Sequence, residues 1–356
     1  MINYLVTSRG STTMRTYVNA WGSDPGSRIR YLMYHSLPET PFLSPGTYIF
    51  SDLERLSPPE LELARRVWDT LFAAGPRVRL LNNPHRVLCR YDLLRALYEK
   101  GGNRFRVFRA SEPLDSVRFP VFLRQENDHN GNLTPLLQTP EELTTALRSL
   151  RLTGHRLRDL IIVEFCDTSG SDGIFRKYSA FRIGGEILPR HMLFSANWNV
   201  KNPDRKDPAF LKEQEEYLNG SPHREWLKDV FEFSGIDYGR IDYGLAGNEP
   251  QVWEINTNPT VRKLTPRLTS ALEAVDCPSE SPEKIPLRID PGLVRAVKAE
   301  ERALRRLMLF RQVAGSLSSI QWVRPIIPFA KSLLRASAGR AKDNTASTGT
   351  PPSRRS

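Results

Sequence analysis

The chain has 356 residues, of which 39% are hydrophobic and 26% are charged, and this composition excludes a disordered or fibrous protein. No apolar run approaches the roughly 20 residues that span a bilayer, and the three cysteines and six histidines lack disulfide-framework or zinc-site spacing. The net charge of +11 favours anionic partners such as nucleotides, although part of it comes from the basic C-terminal region. The first residues lack the features of a secretory signal, so we expect a cytoplasmic protein.

The first part of the chain alternates short strands with helical patterns, which predicts a small parallel sheet. The candidate strands cover residues 3–7, 29–34, 47–50 and 78–81. Two prolines open a helix over residues 58–74, with its apolar side chains on one face. No Gly-x-Gly-x-x-Gly motif occurs, so we expect no dinucleotide site here.

The middle of the chain predicts helices mixed with antiparallel strands, and two strand pairs stand out as hairpins over residues 174–193 and 240–255. The other predicted elements are helices over 86–99, 140–150 and 222–233, and strands over 105–109, 120–124 and 160–165. We interpret the polar segment 197–219 as a substrate-contacting or mobile segment, with a plain surface loop as the alternative. The pattern is helical from Pro291, and the composition predicts disorder after Gly339.

The strongest chemical signal lies on the second hairpin, in Gly239-Arg-Ile-Asp-Tyr243 and Trp253-Glu-Ile-Asn-Thr-Asn-Pro259. Glu254 and Asn256 are two residues apart and therefore share one face of their strand, and the turn brings Asp242 opposite them. Hard oxygen ligands of this kind suit Mg²⁺. The alternative is a surface hairpin with polar residues on its wet face, but the apolar flanks favour burial, where two carboxylates need a cation.

This pair of segments resembles the closing motif of the ATP-grasp superfamily, and most of all that of D-alanine–D-alanine ligases and glutathione-synthetase-like carboxylate–amine ligases. The resemblance extends over residues 80–260, about half of the chain. It implies that ATP and Mg²⁺ are cofactors and that Asp242, Glu254 and Asn256 are the magnesium ligands. It also implies that Arg240 contacts the reacting phosphate or acyl-phosphate.

Upstream, residues 119–124 resemble the strand that delivers a phosphate-binding lysine in this family, but the residue here is Arg124. An arginine can bind phosphate as a planar fork, and an exposed strand-end charge is the alternative. The segment 125–132 stands where the family has a glycine-rich loop over the phosphates. It contains one glycine and the acids Glu126 and Asp128, so either it closes on the phosphates differently or its acids face something else.

Residues 161–166 resemble the hinge strand whose backbone pairs with adenine, and this assigns Glu164, Phe165 and Cys166 to the nucleotide site. A plain buried strand is the alternative. The first hairpin resembles the strand pair that closes over the triphosphate. On that match Lys177 and Arg190, and then Arg182, contact phosphate or acyl-phosphate, with solvated strand charges as the alternative. The predicted catalytic residues are Arg240, Arg190 and Lys177.

The resemblance implies an α/β protein with an ATP-grasp fold, in which two α+β subdomains grip ATP after a small parallel α/β domain and before a helical C-terminal extension. The predicted boundaries are 1–82 for the parallel domain, 83–168 and 169–265 for the small and catalytic subdomains, 266–335 for the extension and 336–356 for a disordered basic tail.

The implied reaction is ATP-dependent activation of a carboxylate as an acyl-phosphate, followed by attack of an amine or a similar nucleophile. Two alternatives remain open, which are a small-molecule kinase on the same fold and a catalytically degenerate nucleotide-binding scaffold. The partners expected are a small-molecule or peptide carboxylate and an amine acceptor. The C-terminal region could also contact an anionic membrane weakly, and no nucleic acid is expected.

Overall fold

The computed structural model describes residues 1–13, 29–129, 131–201, 207–261, 265–277 and 283–318. The chain forms two compact units, residues 1–297 and 298–356. No helix in the described ranges is long and apolar enough to cross a membrane. The predicted disordered tail, and the Trp322 to Leu334 part of the membrane-contacting region, lie outside the described residues.

The N-terminal region contains a parallel sheet of four strands in the order β2-β1-β4-β5, which confirms the predicted parallel sheet. Its strands are β1 Ile2–Val6, β2 Ile29–Met33, β4 Gly46–Phe50 and β5 Val78–Leu81. The short strand β3, Phe42–Leu43, precedes β4 in the chain and is not part of this sheet. Helix α1, Pro58–Ala73, begins with a capping box between Ser57 and Glu60. Its buried face, which includes Leu63 and Val67, packs in the same hydrophobic cluster as Leu5 and Phe50 of this sheet.

The following region contains a three-stranded antiparallel sheet in the order β6-β8-β7. Its elements are α2 Arg90–Glu99, β6 Val107–Arg109, β7 Val121–Gln125, α3 Pro140–Leu152 and β8 Leu160–Glu164. Helix α2 begins at Arg90, later than the predicted start at residue 86. Asn82 has left-handed backbone angles, and the amides of Arg86 and Val87 donate to the Asn83 carbonyl, so the chain makes a turn before the helix.

The largest sheet is antiparallel, with four strands in the order β10-β9-β11-β12, and both predicted hairpins are confirmed. Its elements are β9 Phe175–Ile183, β10 Glu186–Ser195, α4 Pro208–Gly220, α5 Arg224–Ser234, β11 Tyr238–Ala246 and β12 Glu249–Asn256. The polar segment that we interpreted as mobile contains helix α4. Asp207 caps this helix and Pro208 occupies its first turn, while Phe194 stacks on Phe210.

The remaining elements are α6 Pro266–Val275, β13 Ile285–Pro286, which pairs with β3, and α7 Pro291–Ser318. The helical pattern predicted from Pro291 is thus confirmed. The parallel and antiparallel sheets together give the predicted α/β class. The boundaries between the five predicted domains stay a prediction.

The parallel sheet packs against one end of the largest sheet. A hydrophobic cluster joins Ile2 and Ile49 to Phe181 and Tyr238. As a result, the loop after β4 lies beside the end of β12, where Thr257 Oγ1 donates to Glu54 Oε2 at 2.7 Å. This contact brings the N-terminal region to the predicted metal-binding hairpin.

Candidate active site

Four polar side chains form a row across the largest sheet. The strand register places Asp242 opposite Glu254, Ser179 opposite Asp242, and His191 opposite Ser179. The predicted juxtaposition of Asp242 with Glu254 therefore holds, and it is extended across two further strands. Side chains at paired positions project from the same face of a sheet, so this row concentrates polar groups on one surface.

Asp242 is 4% exposed, and three donors surround its carboxylate. Oδ1 accepts from Ser179 Oγ at 2.9 Å and from Arg240 Nε at 3.1 Å, while Oδ2 lies 3.3 Å from Lys177 Nζ. Burial alone would raise the pKa of Asp242, but Arg240 and Lys177 outweigh it and lower that pKa. Asp242 is therefore a buried carboxylate held in its anionic form.

Glu254 is held by two arginines that both contact Oε2. Arg124 Nη2 lies 2.7 Å from this oxygen, and Arg90 Nη2 also donates to it. Burial alone would raise the pKa of Glu254, but Arg90 and Arg124 lower it well below its usual value. Burial and the neighbouring Arg90 lower the pKa of Arg124 to about 10. Within the described part of the chain, Glu254 Oε1 makes no hydrogen bond.

A cleft opens on this face of the sheet, and its lining contains a charged group and an aromatic group. The charged group includes Arg124, Lys177, Lys201, Asp242 and Glu254, and the aromatic group includes Phe122, Phe165 and Trp198. The Trp198 ring lies 5.0 Å from that of Phe122 and 5.9 Å from that of Phe165, measured between centroids. A cleft of this composition suits a ligand with a flat ring and an anionic chain.

Several predicted residues line the cleft and others lie away from it. Arg124, Phe165, Cys166, Lys177, Asp242 and Glu254 are lining residues. Arg240 pairs with Asp242, which lines the cleft. Arg190 lies on β10 at the register shift between Pro189 and His191. The Asn256 side-chain oxygen accepts from the Asn258 amide at 2.8 Å. Arg182 lies near the hairpin turn, where Nη2 is 3.6 Å from Asp237 Oδ1 and Nε donates to the Gly184 carbonyl.

Glu164 is buried within β8 and bonded to two arginines. Arg106 Nη2 lies 2.6 Å from Oε1 and Arg118 Nη2 lies 2.7 Å from Oε2. Burial would raise the pKa of Glu164, but the hydrogen bonds from Arg118 and Arg106 lower it to about 2. The side chain therefore connects β8 to the segments that carry the two arginines, and the lining of the cleft begins just after this strand, at Phe165.

Four residues of the site were missed by the sequence analysis, namely Arg90, His129, Trp198 and Lys201. Lys201 passes directly over Gly131, since a Cβ atom on Gly131 would lie 2.2 Å from Lys201 Cε. The lone glycine of segment 125–132, with a backbone φ of +96°, is the sequence signal that could have pointed to this close approach. Arg90 and His129 had no such local signal.

The donors present fit Mg²⁺. Asp242 and Glu254 supply hard carboxylate oxygens from adjacent strands, and Glu254 Oε1 is open to a further ligand. Within the described residues no three His, Cys, Asp or Glu side chains form a metal site by themselves. Two carboxylates are a suitable protein contribution for an ion whose remaining ligands are waters and phosphates. Arg124 and Lys177, which now neutralise these carboxylates, both line the cleft and can pair with phosphate instead.

No protein-family model and no curated protein matches the chain. Similar solved structures include the D-alanine–D-alanine ligase of Coxiella burnetii, with 12% identity, TM-score 0.46 and coverage of 88% of this chain and 99% of that one. They also include the corresponding ligase of Bacillus anthracis, with 16% identity, TM-score 0.45 and coverage of 77% and 91%. A RimK domain ATP-grasp protein of Sphaerobacter thermophilus has 15% identity, TM-score 0.41 and coverage of 77% and 98%.

Proposed function

We propose that the chain is a cytoplasmic, Mg-ATP-dependent ligase of the ATP-grasp type. It activates a carboxylate as an acyl-phosphate for attack by an amine or a similar nucleophile. The observation that carries this proposal is the pair of carboxylates formed by the buried Asp242 and the half-buried Glu254, which face each other beside cations that line a partly aromatic cleft. This arrangement supplies every class of group that a nucleotide triphosphate and its metal require.

The aromatic group of the cleft is the proposed site of the base. Phe122, Phe165 and Trp198 offer apolar ring surfaces close to one another. The Phe165 amide already donates to the Pro120 carbonyl at 2.9 Å, which leaves the main-chain amide and carbonyl of Cys166 to meet the edge of adenine. The donor and the acceptor of one extended residue project to the same side and match the adjacent acceptor and donor of that edge.

The charged group is the proposed site of the triphosphate. Arg124, Lys177 and Lys201 bind phosphate oxygens, while Arg240 and Arg190 act at the acyl-phosphate. Asp242, Glu254 and Asn256 hold the metal, which neutralises phosphate charge when it is bound. For Asn256 this requires its side-chain oxygen to exchange the Asn258 amide for the ion.

The reaction needs no nucleophile from the protein. An oxygen of the substrate carboxylate attacks the γ-phosphorus and ADP leaves, and the amine nitrogen then attacks the acyl carbon. The bond from that carbon to the phosphate oxygen breaks, phosphate leaves, and the nitrogen loses a proton. The protein positions the reactants, and its fixed cations stabilise the negative charge that spreads during both steps.

Calorimetric titration of Mg-ATP tests the proposal. We expect the wild type to bind, and we expect Asp242→Asn/Glu254→Gln to lose this binding or its dependence on Mg²⁺. Glu249→Gln is the matched control, because Glu249 lies on the same strand but pairs with the exposed Arg104 and should leave binding unchanged. A wild type that binds no Mg-ATP would contradict the proposal. Phosphate release with candidate acceptors then identifies the substrates.

A nucleotide-binding scaffold without turnover is the second candidate, and one observation favours it. Lys177 and Arg240 already neutralise Asp242, and Arg90 and Arg124 already neutralise Glu254. Tight ATP binding without phosphate release on any acceptor would select this candidate. Release of a stable phosphorylated product without amide formation would instead indicate a small-molecule kinase.

A further inference from the structure

Arg90, the first residue of α2, has a buried guanidinium that binds the segment after β7. Its side chain is 2% exposed. Nη1 donates to three main-chain carbonyls, those of Gln125 at 2.9 Å, Glu126 at 2.9 Å and Asp128 at 2.7 Å. Three main-chain acceptors on one nitrogen fix the path of residues 125–128 without depending on their side chains.

The other terminal nitrogen of Arg90 points to the candidate metal site. Nη2 lies 3.0 Å from His129 Nδ1 and also donates to Glu254 Oε2. One rigid planar group therefore holds the segment 125–129 and a carboxylate of the site at the same time. An ammonium group is a single point charge on a flexible stem and cannot span both sets of acceptors in this way.

Two further contacts hold the same segment in place. His129 Nε2 lies 2.8 Å from Glu54 Oε1, on the loop after β4, and Glu126 pairs with Arg109 at 3.0 Å. The sequence analysis left open whether the acids of this segment face the phosphates or something else, and for Glu126 the partner is Arg109. The segment is thus anchored to three different parts of the chain, whereas a loop that opens easily has few buried contacts.

The two arginines on Glu254 differ in their access to a ligand. Arg124 lines the cleft and Arg90 does not. A phosphate that enters the cleft can therefore draw Arg124 away from Glu254, while Arg90 keeps its place. Arg90 then remains as the counter-charge on Oε2, and Oε1 stays turned to the ligand.

We propose that Arg90 is a positioning residue for Glu254 and that residues 125–129, whose His129 forms part of the wall of the cleft, are held fixed and are not a mobile cover. This inference rests on the proposed function, since it concerns the metal-dependent part of ATP binding. On this proposal, the buried side chain of Arg90 both orients Glu254 and holds residues 125–129 in place.

The test compares Arg90→Gln, Arg90→Lys and Arg109→Gln with the wild type. For each protein, ATP affinity is measured with Mg²⁺ and with a chelator, and amide hydrogen exchange is followed over residues 125–129. Arg109→Gln is the matched control, because it removes an anchor of the same segment without touching Glu254.

We expect Arg90→Gln to reduce the gain in ATP affinity from Mg²⁺ by about tenfold or more, as loss of a group that orients a metal ligand does. Its affinity in chelator should change much less, and amide exchange over the segment should accelerate. Arg90→Lys should recover part of the magnesium gain but not the slow exchange. Arg109→Gln should keep the full magnesium gain.

Three results would overturn the inference while leaving the proposed function intact. An equal loss of ATP affinity with and without Mg²⁺ would make Arg90 a phosphate contact, and an unchanged magnesium gain would remove its positioning role. Rapid exchange of the segment in the wild type would refute its fixed position. A wild type that binds no Mg-ATP would contradict the proposed function itself, and the exchange measurement would still decide whether the segment is fixed. If Arg90→Gln does not fold, Arg90→Lys decides the comparison.

Discussion

Asp242 and Glu254 lie directly opposite each other on β11 and β12, yet each receives its cations from a different part of the chain. Arg240 and Lys177, from the strands of the same sheet, neutralise Asp242. Arg90 and Arg124, from the region of the smaller antiparallel sheet, neutralise Glu254. The carboxylate pair thus joins the two regions whose surfaces line the cleft.

Replacement of Glu254 by glutamine should destabilise the protein although the side chain keeps its shape. The neutral amide leaves Arg90 and Arg124 buried without their counter-charge, and loss of one partner from a buried ion pair costs about 3 kcal/mol or more. Urea unfolding measures the change. Glu249→Gln, at an exposed pair on the same strand, should show no comparable loss. Equal stabilities for the two variants would contradict the ion-pair assignment.

Acid should weaken the protein in part through Glu164. Its pKa is lowered from 4.5 to about 2 in the folded state, so the unfolded chain takes up the proton first as the pH falls. The contribution of Glu164 is therefore complete above pH 4.5 and is lost progressively toward pH 2.

Urea unfolding over this range should give a shallower acid dependence for Glu164→Gln than for the wild type. The exposed Glu225, at the start of α5, provides the control, and Glu225→Gln should keep the wild-type slope. The same slope for Glu164→Gln and the wild type would show that the pairs with Arg106 and Arg118 are absent in solution.

Trp198 should contribute to the binding of the base. Removal of its ring in Trp198→Ala takes one aromatic surface from the group that includes Phe122 and Phe165. Aromatic stacking on a base is worth about 1–3 kcal/mol, so ATP affinity should fall about tenfold. Trp198→Phe keeps a ring and should retain most of the affinity. Calorimetry with ATP checks both variants. An unchanged affinity for the alanine variant would show that the base does not bind at this aromatic group.

Gly131→Ala separates backbone strain from a specific contact with Lys201. The added Cβ would lie 2.2 Å from Lys201 Cε, so Lys201 must leave its position over the loop and ATP affinity should fall. The control is Gly154→Ala, where φ is +88° instead of +96° and no atom lies within 4 Å.

Both substitutions place alanine in a left-handed conformation and should cost about 1 kcal/mol of stability. Only Gly131→Ala should weaken ATP binding, and Lys201→Ala should reproduce that loss. If Gly154→Ala weakened binding equally, the effect would be one of general stability and not of Lys201.

The hairpin with the site motif is the part of the protein that the sequence determines most completely. Its information is local: Glu254 and Asn256 are two positions apart, a turn at Gly247 reverses the chain, and apolar neighbours give each strand a buried face. Alternation along a strand is a backbone property, so the face shared by Glu254 and Asn256 follows without knowledge of the rest of the fold. The pairing of Asp242 with Glu254 depends on a register shift between Asp242 and Tyr243, which local periodicity does not predict.

Partners from distant segments were decided by the tertiary structure alone. Arg90 and Glu254 are 164 residues apart, and Glu54 and His129 are 75 apart. For Glu164, which the resemblance assigned to the nucleotide site with a plain buried strand as the alternative, the packing selected Arg106 and Arg118 as partners. Ion pairs between such segments depend on how the sheets pack, and local sequence periodicity carries no record of that packing.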